Sequence, residues 1–291
     1  MKLAVIGDIH GFWDERDTAY FNHSEYDGLL FVGDLPRLTG CRPVARMLAE
    51  LDKPAWLIPG NHDGVTTLQL LAELKGWRWL ARLGAAGMRR RMRRLRRRLG
   101  PVRLCGFEMV TLAEDLGLLV ARPHAMGPDR FYYRAFLRKR YGINDFRDSA
   151  ATLKSLVDLA PRRLIVLAHN GPAGLGDQPD SPWGCDFSPA HGDFGDPDLR
   201  EAIDHAGASG RQVLAVAAGH MHLTHKTTGA RRQAWARQDG ILYVNTATVP
   251  RIREDGAWRR HVALEIDDEQ VEAAFVDVDE SGNRIAETPL R

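Results

Sequence analysis

Asp8 and His10 stand two residues apart in Gly7-Asp-Ile-His-Gly11, directly after the apolar run Leu3-Ala-Val-Ile6. A carboxylate and an imidazole where a buried strand meets solvent can bind a divalent metal ion, because first-row metals take oxygen and nitrogen donors. One such triplet is weak ground, since an Asp after a strand is commonly a helix cap. The arrangement recurs. Leu29-Leu-Phe-Val32 runs into Gly33-Asp34, and Ala55-Trp-Leu-Ile-Pro59 into Gly60-Asn61-His62-Asp63. Leu164 to Ala168 runs into His169-Asn170-Gly171-Pro172, and Val213 to Ala218 into Gly219-His220-Met221-His222. Five apolar runs therefore end in Asp, Asn or His, usually beside a Gly. Taken singly, Asn61 fits a turn and His169 fits a hydrogen-bonded rim histidine.

For these residues to meet, the strands must end on one rim. Residues 1–75 read as strand and helix three times over, with helices over Trp13–His23, Pro43–Leu51 and Gly64–Lys75. That alternation predicts a parallel sheet of βαβ units, whose site lies beyond the carboxyl ends of the strands. The pattern is absent from 76–161, which reads as an insertion or cap-like segment. It holds two expected strands, Val102–Phe107 and Leu116–Ala121, and helices near Asp129–Tyr141 and Asp145–Leu159. After the strand leading to His169 comes a connection from Gly171 to Pro197 rich in Gly, Pro and Asp, a length typical of lids or disordered loops. A helix over 198–207 follows. Ile241–Asn245, His261–Ile266 and Val271–Val278 lack helices between them and are expected to add to the sheets as antiparallel strands.

The 291 residues, 44% hydrophobic and 27% charged, suit one large α/β domain, 1–291, with 76–161 inside it. Four apolar residues before Gly7 are too few for a secretory signal, and no run approaches the roughly 18 apolar residues of a spanning helix. Cys41, Cys105 and Cys185 are far apart and lack paired spacing, which predicts reduced thiols and a cytoplasmic protein. The net charge of +2 is unevenly distributed: twelve of the forty Lys and Arg lie between Lys75 and Arg103, with no acid among them, leaving 28 basic against 38 acidic residues elsewhere. Within that stretch Met88, Met92, Leu95 and Leu99 fall at helical spacing among eight Arg. Such a helix over 88–99 suits either an anionic partner (membrane headgroups, nucleic acid or an acidic protein face) or packing of the narrow stripe on its own acidic domain.

The ordered set GDIHG, GDLPR, GNHD, AHNGP and GHMH resembles the calcineurin-like metallophosphoesterase superfamily, over Gly7 to His222. The resemblance implies a two-sheet α/β sandwich of mixed strands flanked by helices, four layers in all, here with an Arg-rich insertion. It also implies two divalent metal ions, Mn, Fe, Zn or Co, about 3.5 to 4 Å apart. By motif position Asp34 would bridge them; Asp8, His10 and His222 would complete one site, and Asn61, His169 and His220 the other. The expected activity is hydrolysis of a phosphodiester or phosphomonoester by a bridging hydroxide. His62 matches the family's histidine at the leaving group, and Asp63 would orient its ring or cap the next helix.

The serine/threonine phosphatases of the superfamily carry Asp and Arg three and four residues after the bridging Asp and a Glu after GNH, where this chain has Arg37, Leu38 and Asp63. GDLPR and GNHD are closer to the phosphodiesterase and nuclease branches. Arg37, and Arg122 with His124 after the strand 116–121, are candidate contacts for substrate phosphate. A phosphorylated small molecule or nucleotide is the expected substrate. The alternatives are a nuclease of the same superfamily and a non-catalytic scaffold that binds an anionic partner through the Arg-rich helix. The motifs address chemistry at phosphorus and carry no code for the substrate.

Overall fold

The computed structural model describes residues 1–36, 40–225, 227–253, 256–267 and 270–290. Its first three strands, β1 (Lys2–Ile6), β2 (Gly28–Phe31) and β3 (Ala55–Leu57), run parallel and are joined by β4 (Arg103–Leu104). The linking helices are α1 (Glu15–His23), α2 (Arg42–Leu48), α3 (Thr67–Lys75) and α4 (Arg78–Arg98). Alternation along each strand sends its side chains to two cores. Leu3, Val5, Leu30 and Val32 enter the core between the sheets, and Ala4, Ile6, Leu29 and Phe31 the core under the helices.

The second sheet begins with the hairpin β5 (Glu108–Ala113) and β6 (Leu116–Val120) and continues with β7 (Arg163–Asn170) and β8 (Gln212–Gly219). The helices α6 (Phe146–Asp158) and α7 (Pro197–Ala208) cover its outer face, while α5 (Arg134–Tyr141) joins the first helical layer. Then come β9 (Trp235–Gln238) and β10 (Ile241–Asn245), joined by a tight turn at Asp239-Gly240, both at positive φ. The result is a four-layer α/β sandwich of two mixed sheets.

Two expectations are corrected. β10 is parallel to β8, not antiparallel, because the unforeseen β9 makes the reversal before it. The antiparallel expectation does describe β12 (Trp258–Ile266) and β13 (Val271–Asp279), which extend the first sheet from β1; β14 (Arg284–Pro289), which was not expected, pairs antiparallel with β13, and the short β11 (Ile252–Arg253) pairs with β12. Nor is 76–161 peripheral throughout, since β4, β5 and β6 are strands of the two sheets and β6 is buried beside β7.

Among the described residues no helix is long and apolar enough to cross a membrane. In α4 the stripe Met88, Met92, Leu95, continued by Leu99, is buried in the core beneath the helices. The connection 171–197 is packed: Trp183 is fully buried and its Nε1 donates to the Gly219 carbonyl at 3.1 Å.

Candidate metal centre

The parallel strands deliver their carboxyl ends to one rim, and the loops leaving them turn sharply. His10, Asp34 and His220 all adopt positive φ, at 44°, 51° and 68°. Such backbone is uncommon for any residue but Gly, though His and Asp adopt it more readily than most, and it persists where the surroundings enforce it, commonly at functional sites. The enforcement is visible. Asp34 Oδ1 accepts from the His62 N–H at 2.8 Å, and the His220 N–H faces Asp8 Oδ2 at 3.1 Å. Glycines leave room for both carboxylates: a Cβ on Gly60 would stand 2.2 Å from Asp34 Oδ1, and one on Gly219 2.3 Å from Asp8 Oδ1.

Seven side chains converge. Asp8, His10 and His222 bring donor atoms within 4.8 Å of one another; His222 Nε2 lies 3.2 Å from His10 Nε2 and 3.5 Å from Asp8 Oδ2. Beside them, Asn61 Oδ1 lies 2.9 Å from His169 Nε2 and 3.0 Å from His220 Nδ1. Asp34 stands between the groups, with Oδ2 3.6 Å from His10 Nε2 and 3.8 Å from His169 Nε2.

The tautomers of two histidines follow from their outer contacts. His169 Nδ1 must donate to the Val32 carbonyl at 2.7 Å, and His10 Nδ1 faces the Pro36 carbonyl at 3.3 Å. In the neutral rings Nε2 then carries a lone pair aimed at the cluster, where it meets Asn61 Oδ1 or His222 Nε2 and the Asp34 carboxylate. Lone pairs and carboxylates packed this closely need a proton or a metal ion between them. Histidines oriented through Nδ1 in this way are the usual ligands of divalent metals. Two donors on one such ion, each roughly 2.1 Å from it, stand about 3 to 3.5 Å apart, which is the scale of these separations. The residues present therefore fit a divalent metal group.

The charges in the cluster act on one another: the Asp34 and Asp8 carboxylates raise His169 above the usual imidazole range against its burial. Burial pushes His220 well below the usual imidazole range and keeps it neutral. Burial disfavours the charge on Asp34, yet the neighbouring His169, His62 and His10 hold its carboxyl down to about 2. Asp8 is lowered too, against its burial, by His222 and His169.

The ring of His62 lies edge-on to His10, 5.4 Å between centroids, at the open side of the cluster. Asp63 has a different occupation from the expected one. Its Oδ2 accepts from the N–H groups of Asp34 and Gly60, each at 2.8 Å, and its Oδ1 from Leu35 N–H at 3.0 Å. It thus clamps the loop of Asp34 to that of Asn61, and its oxygens are committed to backbone rather than to the His62 ring.

The substrate role expected for Arg122 and His124 is corrected. Arg122 is buried, with Nη2 donating to Asp196 Oδ1 at 2.8 Å and Nε to Asp198 Oδ2 at 2.7 Å, and its guanidinium lies over Phe131 and Phe146. His124 is fully buried, its Nδ1 donates to the Gly60 carbonyl at 2.7 Å, and burial pushes it down to about 4. Both are fixed inside the protein. Arg37 lies outside the described residues.

Two supporting residues, Tyr133 and Arg91, went unforeseen. Tyr133 donates its hydroxyl to the Asn61 carbonyl at 2.8 Å, and Arg91 Nε donates to the Gly64 carbonyl at 2.6 Å, so both brace the Asn61–Asp63 loop. Asn245 Nδ2 donates to the carbonyls of Pro182 at 2.8 Å and Met221 at 2.7 Å, tying the GHMH loop to the 171–197 connection. These partners lie 24 to 72 residues apart, and no local motif announces Tyr133 or Arg91.

A family model described as calcineurin-like phosphoesterase matches residues 1–223. The fold is similar to that of TT1561 of Thermus thermophilus, with TM-score 0.52 and 11% identity over 100% of this chain and 99% of that one. It is also similar to a structure of PhoD, with TM-score 0.52 and 10% identity over 99% of this chain and 72% of that one. No curated protein matches the chain.

Proposed function

This chain belongs to the calcineurin-like phosphoesterase family, a class of metal-dependent phosphoric ester hydrolases, and from that premise we propose that it cleaves a phosphodiester or phosphomonoester at a dinuclear centre. One observation supports the dinuclear reading above the others: Asp34 Oδ2 lies between two donor groups, within 3.8 Å of a histidine nitrogen in each. Asp8, His10 and His222 would hold one ion, Asn61, His169 and His220 the other, and Asp34 both. Mn, Fe, Zn and Co all accept this thiolate-free set.

Divalent ions held there supply Lewis-acid stabilisation of the phosphoryl oxygens and lower the pKa of water. The protein's part is geometry and proton handling. His10 and His169, anchored through Nδ1, keep their other nitrogens aimed inward, and Asp63 keeps the Asp34 and Asn61 loops in register. His62, partly exposed beside the cluster, would donate a proton to the oxygen that leaves phosphorus.

The test is hydrolysis of bis-p-nitrophenyl phosphate beside p-nitrophenyl phosphate in Mn²⁺, with Asp34→Asn as the paired control. Turnover of either ester that disappears in the variant supports the proposal, and the preferred ester assigns the class. A metal-loaded protein inert toward both would contradict it and leave the scaffold reading.

A further inference from the structure

The metal centre is not where the surface is least ordinary. Ten large apolar side chains stand exposed among the described residues, and six of them fall within sixteen residues. Leu68, Leu71 and Leu74 recur every third residue on α3, exposed by 57%, 41% and 48%. Trp77, Trp79 and Leu83 continue onto α4 at 45%, 68% and 65%. Single exposed Leu or Trp residues are normal, but a cluster of this kind is a contact surface.

Its surroundings have one sign of charge. No acid occurs between Lys75 and Arg103, and the exposed side of α4 passes from Trp79 and Leu83 to Arg90, Arg93, Arg94 and Arg97. On the inner flank, α3, α4 and α5 enclose a cleft of about 980 Å³. Arg78, Arg82, Arg134, Arg138 and Lys139 line it, and none of them forms an ion pair among the described residues. Of the two acids on its wall, Glu73 already accepts from the Tyr133 N–H and Asp145 caps α6.

We propose that the α3–α4 shoulder docks on an anionic phospholipid bilayer, with the Leu and Trp ridge entering the headgroup–acyl boundary and the arginines on lipid phosphates. Trp favours that boundary, and peripheral binding combines buried apolar area with attraction to anionic headgroups. The leucines decide against nucleic acid. Trp can stack on bases and Arg can pair with phosphates, but three leucines on one helix face have nothing to bury against a sugar–phosphate backbone. A symmetric dimer through the same surface would set arginines against arginines. The apolar stripe of Met88, Met92 and Leu95 takes no part, because it faces the protein's own core.

The test is flotation of the full chain with phosphatidylglycerol-containing vesicles against pure phosphatidylcholine vesicles, at low and high salt, with tryptophan emission recorded alongside. The expected result is binding to the anionic vesicles with a blue shift, lost at high salt. Trp79→Ser with Leu83→Ser should weaken binding by roughly tenfold. Arg90→Gln, Arg93→Gln and Arg94→Gln together should abolish the preference for anionic lipid. All these side chains are at the surface, so far-UV circular dichroism should stay unchanged and a lost interaction is not lost folding. No binding to either vesicle, binding indifferent to Trp79→Ser with Leu83→Ser, or stronger binding to single-stranded DNA than to vesicles would each overturn the proposal. So would concentration-dependent dimers abolished by the same pair of substitutions. The readout is binding alone, so it is independent of whether the metal centre turns over an ester.

Discussion

His62 and Asp63 are neighbours with separable work. His62 holds Asp34 through its backbone N–H, a contact that replacing the imidazole leaves in place. His62→Ala should therefore keep the metal content of the parent and lose about 10² to 10⁴ in kcat, the usual worth of a positioned acid. Metal analysis alongside kinetics decides it, and loss of metal in step with activity would make His62 a ligand instead. Asp63 serves three backbone N–H groups at 2.8, 2.8 and 3.0 Å. Asp63→Ala strands those donors in a buried site and should lower stability by about 3 kcal/mol or more in urea unfolding. A variant with unchanged stability but slow turnover would point back to a role on the His62 ring. The adjacency in GNHD suggests that role, whereas the partners actually used, Asp34 and Leu35, come from a loop 28 or 29 residues earlier. Their approach is a product of the fold, and no local pattern encodes it.

Among elements, the strand ends were legible because two signals coincide there, a short apolar run and a Gly beside a donor residue. Asp8, His10, Asp34, Asn61, His169, His220 and His222 consequently come together as the motif order implied. What failed was reading side chains whose partners are remote. Arg122 follows β6 in the place of a substrate-binding Arg, yet its carboxylates lie 74 and 76 residues later at the start of α7. Arg122→Met should leave Asp196 and Asp198 buried without their cation and cost about 3 to 5 kcal/mol in stability. An unchanged unfolding midpoint with a raised KM would restore the substrate role. The strands β5 and β9 escaped notice for another reason. Both lie at sheet edges with mostly half-exposed or exposed residues, so neither shows the buried alternation that marks a strand. In α4 the apolar spacing was readable and its occupant was not: spacing alone cannot tell a foreign surface from the protein's own core.

Across the whole molecule, the C-terminal strands close the first sheet against α1, far along the chain from the motifs. His261 of β12 is buried there, its Nε2 accepting from the Tyr26 hydroxyl at 2.7 Å, and burial together with Arg251 and Arg284 lowers its pKa well below the ordinary value. A histidine that titrates near 6.5 when unfolded but stays neutral when folded makes the unfolded state the better proton binder in acid. Its contribution is intact above that pH and is lost as pH falls below about 6.5. His261→Gln keeps an acceptor without the titration. Its unfolding free energy should therefore decline less steeply than the parent's between about pH 6.5 and 5; parallel curves would exclude His261 as a source of acid sensitivity.

In the proposed centre, one fold brings two ion sites to a shared carboxylate, Asp34. The most direct measurement is the metal stoichiometry of protein loaded with Mn²⁺ and freed of excess metal, with its electron paramagnetic resonance spectrum. Two ions per chain with an exchange-coupled signal that disappears in Asp34→Asn is the predicted result. One ion per chain, or two uncoupled ions indifferent to that substitution, would contradict it.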